Sequence, residues 1–185
     1  MALVIGIDPG TGVTSPAGLV VFDTETRIIY EAAQITTTTR IHHRVISTVA
    51  AQLGAFIQRA ADKERKTLVC HEDFVMRGKG GVTLQRLIGA IFTHIPKEGF
   101  DVESVYNTRV KMFTGGDGAS DKAKVAAGVL KYFEKNLDSF KTVRAWINAG
   151  LWDLTDAAAI GIAGWMQREE KSVTKKQIKK TIDVC

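Results

Sequence analysis

The chain opens MALVIGIDPG, and this stretch narrows the possible folds more than any other. Leu3-Val4-Ile5-Gly6-Ile7 is a continuous apolar run rich in β-branched residues, the pattern of a buried strand. It ends in the carboxylate of Asp8 and breaks at once at Pro9-Gly10. A carboxylate is a costly neighbour for a buried strand, so Asp8 either closes a turn or holds something positive. Two more strand patterns follow closely, Ala17–Asp23 (AGLVVFD) and Arg27–Thr36 (RIIYEAAQIT), joined by the polar turn Asp23-Thr24-Glu25-Thr26. Connections this short predict an antiparallel meander.

Beyond the threonine run at Thr36–Thr39, helices and strands alternate. Val45, Val49, Leu53, Phe56 and Ile57 recur at helical spacing and predict a helix over about 41–63. Thr67–His71 (TLVCH) reads as a strand ending at Glu72-Asp73. Arg77-Gly78-Lys79-Gly80-Gly81 reads as a basic, glycine-rich loop, and Thr83–Ile95 as a helix with Leu84, Leu87, Ile88 and Ile91 on one face. Phe100–Val105 is a fifth strand. Asn107–Phe113 is helical or irregular, and Thr114–Ser120 (TGGDGAS) is a loop. Ser120 or Asp121 can cap a helix reaching Lys135. Residues 136–148 carry no clear signal. A last helix is expected over about 151–170, followed by a tail with five lysines. The order β-β-β-α-β-α-β-α-α predicts an α/β fold, a five-stranded mixed sheet flanked by helices. The expected division is one domain at 1–170 and a basic extension at 171–185.

With 185 residues, 45% of them hydrophobic, the chain can bury one core of ordinary size. No apolar run approaches the ~20 residues that a membrane span needs. The start lacks the basic and cleavage elements of a signal peptide, so an intracellular, cytoplasmic location is expected. Cys70 and Cys185 form no zinc or disulfide pattern, and His42, His43, His71 and His94 form no spaced metal set. A net charge of +5 gives modest support for a polyanionic partner.

Four carboxylates stand at informative places. Asp8 ends the first strand and Glu72 the fourth. Asp153 and Asp156 lie i, i+3 near the start of the last helix and so share a face. First and fourth strands can be neighbours in a mixed sheet, which would bring all four acids together. Each acid taken alone also suits an ordinary turn, strand end or helix start. Together they cannot all ionise without a counter-charge. Mg²⁺, a hard cation that keeps waters and accepts phosphate oxygens, is the natural answer. Two such ions about 4 Å apart can activate a water and stabilise a leaving oxygen of a phosphodiester.

These motifs, taken in order, resemble the RuvC-type Holliday-junction resolvases of the RNase H-like superfamily. IGIDPGTG at 5–12 is similar to that family's first strand and turn, and VCHEDF at 69–74 to its second acidic strand end. KMFTGGDGASDK at 111–122 resembles its K…(V/T)-G-x-G-x-A-x-K segment, and DLTDAAAIGIAG at 153–164 its D-x-x-D-A-x-A-I-A helix. The resemblance spans about residues 3–168. It implies an RNase H-like fold and a Mg²⁺-dependent endonuclease, with Mn²⁺ able to substitute and two ions per site. Asp8, Glu72, Asp153 and Asp156 would be its metal-binding catalytic acids. Lys111 and Lys122 would contact DNA phosphate, with Lys122 also stabilising charge at the scissile bond. Gly115, Gly116 and Gly118 would let the backbone approach the phosphates.

The resemblance also implies a homodimer that nicks two symmetry-related strands of a four-way junction and leaves 5′-phosphates. The helix at 83–95 would form the dimer contact. The family carries an aromatic three positions after its second acid. Here Phe74 stands two after Glu72 and Val75 three after, and strand alternation turns the two to opposite faces. Phe74, Arg77 and Lys79 are further candidate DNA contacts, and their arrangement opens the reading to forks and flaps as well as junctions. Two other readings compete. GIDPGT also resembles the first strand of actin-like and sugar-kinase phosphotransfer domains, which need a second lobe. A non-catalytic junction binder could share the fold, but it would gain nothing from carboxylates facing phosphate.

Overall fold

In this computed structural model, residues 3–10, 16–36, 42–60, 66–73, 78–93, 95 and 99–182 are described. Three strands come first: β1 (Leu3–Asp8), β2 (Ala17–Asp23) and β3 (Ile29–Ile35). Then follow α1 (His42–Ala60), β4 (Thr67–Asp73), α2 (Gly78–Phe92) and β5 (Phe100–Tyr106). The chain closes with α3 (Asn107–Gly115), α4 (Lys122–Tyr132), α5 (Leu137–Asn148) and α6 (Trp152–Ile182). The sheet order is β3-β2-β1-β4-β5. β1, β2 and β3 form the expected antiparallel meander, while β4 runs parallel to both β1 and β5.

The alternation of β1 assigns its two faces. Leu3, Ile5 and Ile7 pack in one buried cluster with Val49, Leu53, Phe56 and Ile57 of α1 and Leu87 and Ile91 of α2. Val4 packs on the other side with Leu68 and Cys70 of β4 and with Ala157, Ala158, Ile160 and Ile162 of α6. Side chains two apart share a face, so Asp8 follows Val4 and Glu72 follows Leu68 and Cys70 toward α6. In the β1–β4 register Val4 pairs Leu68, Gly6 pairs Cys70 and Ile7 pairs His71. One step further stand Asp8 and Glu72, side by side at the carboxyl ends of two parallel strands. His71 turns the opposite way: it is buried, its Nδ1 lies 3.0 Å from the Glu72 carbonyl oxygen, and its ring meets Phe92 edge-on.

Helix α6 lies directly on the strands because small residues meet there. A β-carbon at Gly6 would run into the Ala157 carbonyl oxygen, and one at Gly18 into the Asp153 carbonyl oxygen. One at Gly161 would come within 2.8 Å of Phe22 Cε1. These contacts fix the height of α6 over β1 and β2, and with it the position of Asp153 and Asp156. Farther along, Arg168 pairs with Asp101, Lys171 with Glu103, and Gln167 donates to the Ser104 carbonyl at 3.1 Å, which ties α6 to β5. α6 continues unbroken to Ile182, so the lysine tail is a continuation of the helix.

Several elements depart from the sequence reading. The expected loop at Gly78-Lys79-Gly80-Gly81 is the first turn of α2, which runs Gly78–Phe92 and not Thr83–Ile95. Glycine costs a helix about 1 kcal/mol against alanine, so three glycines argue for a loop. The buried face at Leu87, Ile88 and Ile91 outweighs that local preference. β3 starts at Ile29 because Arg27 takes a left-handed φ of 59° and its N–H closes the turn on the Asp23 carbonyl. Residues 107–115 are helical. The unassigned stretch contains α5, whose start is capped by Asn136 accepting from Ser139 N at 3.0 Å. Among the described residues no helix is long and apolar enough to cross a membrane.

Candidate active site

The carboxyl ends of β1 and β4, the start of α6, the face of α3 and the start of α4 enclose a cleft of about 270 Å³. Asp8, Glu72 and Asp156 line it, and so do Lys111 and Lys122. Lys122 Nζ is 3.2 Å from Asp156 Oδ2. Asp153 does not line the cleft; one turn before Asp156, it accepts a hydrogen bond from Gln34 Nε2 at 3.1 Å. Glu72 Oε1 accepts one from Asn107 Nδ2 at 2.6 Å.

The acids are close enough to disturb one another. Burial pushes the Asp8 carboxyl up to about 7, and Asp156, Glu72 and Asp153 add to it in that order, against the pull of Lys122. Burial also raises Glu72; the Asn107 hydrogen bond and Lys111 oppose this, and Asp156 reinforces it. Burial raises Asp156 too, opposed by its contact with Lys122 and reinforced by Asp153. A half-buried carboxyl among three others is a place where a positive charge is electrostatically favoured.

The donor set is all hard oxygen, which suits Mg²⁺ or Mn²⁺ better than a soft metal. Among the described residues no three carboxylate, imidazole or thiolate groups stand close enough to enclose an ion as they are placed.

The glycines between the two lysines, also candidates on the sequence, play different parts in this geometry. Gly116 caps α3 at φ 93°, a left-handed conformation that favours glycine. A β-carbon at Gly115 would strike Ser120, whereas one at Gly118 would find nothing nearer than the Thr108 carbonyl at 3.6 Å. Asp121 caps α4 by accepting from Lys124 N at 2.9 Å, which fixes the turn that presents Lys122. Phe74 and Arg77 lie outside the described residues, and Lys79 lies on α2 with its side chain outside them. Sequence reasoning missed Gln34, Asn107 and Ser120. Asn107 had one usable signal: it directly follows the carboxyl end of a strand, the edge where open α/β sheets bind ligands.

A five-stranded mixed sheet in the order 3-2-1-4-5, with acids at the ends of β1 and β4 and on the crossing helix, defines an RNase H-like α/β fold. Among solved structures it is similar to Thermus thermophilus RuvC, at 19% identity over 87% of this chain and 91% of that one, TM-score 0.60. The same protein in complex with a Holliday junction substrate aligns at 18% identity over 88% and 92% of the two chains, TM-score 0.62. Fowlpox virus resolvase in complex with its substrate Holliday junction DNA aligns at 11% identity over 90% and 97%, TM-score 0.53. No family model and no curated protein sequence matches the chain. At these identities the likeness establishes the fold.

Proposed function

We propose that this protein is a metal-dependent, structure-selective endonuclease that resolves four-way DNA junctions by paired nicks. The observation that carries the reading is the gathering of Asp8, Glu72 and Asp156 with Lys111 and Lys122 in one cleft, Asp153 beside them. This cleft sits on a fold whose solved neighbours include two complexes with junction DNA. A positively charged chain suits such a substrate.

Asp8, Glu72, Asp153 and Asp156 would hold Mg²⁺, two ions per site, with Mn²⁺ as a substitute. Bound there, the ions supply an activated water and charge stabilisation at the leaving oxygen. The remaining work falls to the chain. Glu72 and Asp8, fixed by adjacent parallel strands, set the floor on which the phosphodiester lies. Lys111 and Lys122 face the same cleft and orient the non-bridging phosphate oxygens; Lys122 also offsets negative charge as it builds in the transition state. The walls at Val110, Val125 and Ile160 are apolar and limit competing water.

The same proposal includes a homodimer, since a two-fold protein matches a two-fold junction and nicks its two strands symmetrically, leaving 5′-phosphates. Helix α2, with Phe92 exposed at its end, is the proposed contact. Residues 1–170 form the catalytic unit and 171–185 a basic extension, in the cytoplasm. The test is cleavage of a labelled synthetic four-way junction with Mg²⁺, wild type beside Asp8→Asn. Paired symmetric nicks that vanish in the variant while junction binding persists are expected. Nicks that survive in Asp8→Asn would refute the assignment of the acids. Faster cutting of forks or flaps would make it a broader branched-DNA nuclease.

A further inference from the structure

Two of the four acids are gripped by uncharged side chains, and the grips come from opposite edges of the sheet. Gln34 lies on β3, the strand at one edge, and its Nε2 donates to Asp153 Oδ2 at 3.1 Å. Asn107 follows β5, the strand at the other edge, and its Nδ2 donates to Glu72 Oε1 at 2.6 Å. Both carboxamides are exposed, so neither is needed to fill the core.

The chemistry of the donors matters. A carboxylate has two oxygens and about four acceptor sites, so one amide hydrogen bond fixes its orientation and leaves the rest free. An ammonium would fix it as well but would also cancel its charge, which weakens it as a cation ligand. An amide keeps the full negative charge in place. Ligating carboxylates are characteristically hydrogen-bonded by such outer groups, and removing one typically costs 10–100-fold in metal affinity or activity.

From this geometry we infer that Asn107 and Gln34 are positioning residues that hold Glu72 and Asp153 ready for divalent cations. The inference rests on the metal-dependent reading above. It assigns the two carboxamides no contact with the reacting atoms; they act through the acids. Asn107 also opposes the effect of burial on Glu72, in keeping with a hydrogen bond that favours the ionised carboxylate.

The test uses the full chain and Mn²⁺ alone, titrated without DNA by electron paramagnetic resonance or calorimetry. Wild type, Asp8→Asn, Asn107→Ala and Gln34→Ala are compared, and each melting temperature is recorded in EDTA. The expected result is a loss of Mn²⁺ affinity of about tenfold or more in each alanine variant, with unchanged melting temperature. Cleavage should then recover partly at raised Mn²⁺ for Asn107→Ala and Gln34→Ala, but not for Asp8→Asn. Mn²⁺ affinities within twofold of wild type would overturn the inference while leaving the metal site standing. A fall in affinity matched by a fall in melting temperature would make the two residues structural and overturn it as well. If wild type itself takes up no Mn²⁺, the metal-dependent reading fails and the inference with it.

Discussion

Lys122 Nζ stands 3.2 Å from Asp156 Oδ2, so one of the four acids already carries an internal counter-ion. The same lysine lines the cleft with Asp8 and partly offsets the upward push that burial and the other acids give that carboxyl. Under the proposed function, Lys122 would neutralise a cation ligand and also face the bound phosphodiester, two opposite effects.

Removing that charge should therefore separate metal binding from catalysis. Lys122→Met is expected to bind Mn²⁺ several-fold more tightly than wild type without DNA. It is also expected to cut a four-way junction about 10²–10³-fold more slowly, the size of effect seen when one transition-state charge donor is lost. Mn²⁺ titration and single-turnover cleavage, run in parallel, check both arms. A variant weaker in both would show that Lys122 merely supports the fold.

Stability without metal should fall as pH rises. A carboxyl whose pKa is higher folded than unfolded binds more protons in the folded state between the two values. For Asp8 those values are about 7 and 3.8, so the folded form loses stability from roughly pH 4 through pH 7. Glu72 and Asp156 are shifted in the same direction. At about 1.4 kcal/mol per pKa unit the effect is on the order of a few kcal/mol. Thermal unfolding in EDTA should show a higher melting temperature at pH 5.5 than at pH 7.5. Asp8→Asn should flatten that slope and be the more stable protein at pH 7.5, and added Mg²⁺ should stabilise wild type only.

Gly6→Ala is expected to cost about 1–3 kcal/mol, the usual penalty for overpacking, because the new methyl meets the Ala157 carbonyl. It should also slow cleavage at saturating DNA, since lifting α6 moves Asp156 away from Asp8. Denaturant unfolding and junction cleavage measure the two effects. Full activity in a destabilised Gly6→Ala protein would show that the height of α6 does not govern the site.

Asp121→Ala removes the cap of α4 and is expected to cost about 1 kcal/mol. The loosened first turn carries Lys122, so cleavage should fall further than stability alone explains. Asp121→Ser, which keeps an accepting oxygen, should restore most of both. A serine variant no better than alanine would rule out the cap as the cause.

The core strands were legible in the sequence because their runs are unambiguous: Ala17–Asp23 is assigned identically by pattern and by structure. Asp8, Glu72 and Asp156 were legible as a set because strand ends and helical spacing converge on one end of the sheet. The start of α2 was not legible, since its glycines contradict a helix locally and only packing at Leu87, Ile88 and Ile91 decides the matter. Gln34 and Asn107 were not legible either. A neutral carboxamide leaves no charge pattern, and Gln34 meets its partner 119 residues later in the chain.

The acids sit on β1, β4 and α6, and α6 follows every other described element in the sequence. A partly made or partly folded chain that has not yet seated α6 on Gly6 and Gly18 lacks two of its four acids. Such a chain keeps Asp8 and Glu72 on the sheet but not the cleft that they form with Asp156. The full set of acids therefore exists only where α6 is docked on the sheet, which makes the cleft a property of the whole fold and of no shorter segment.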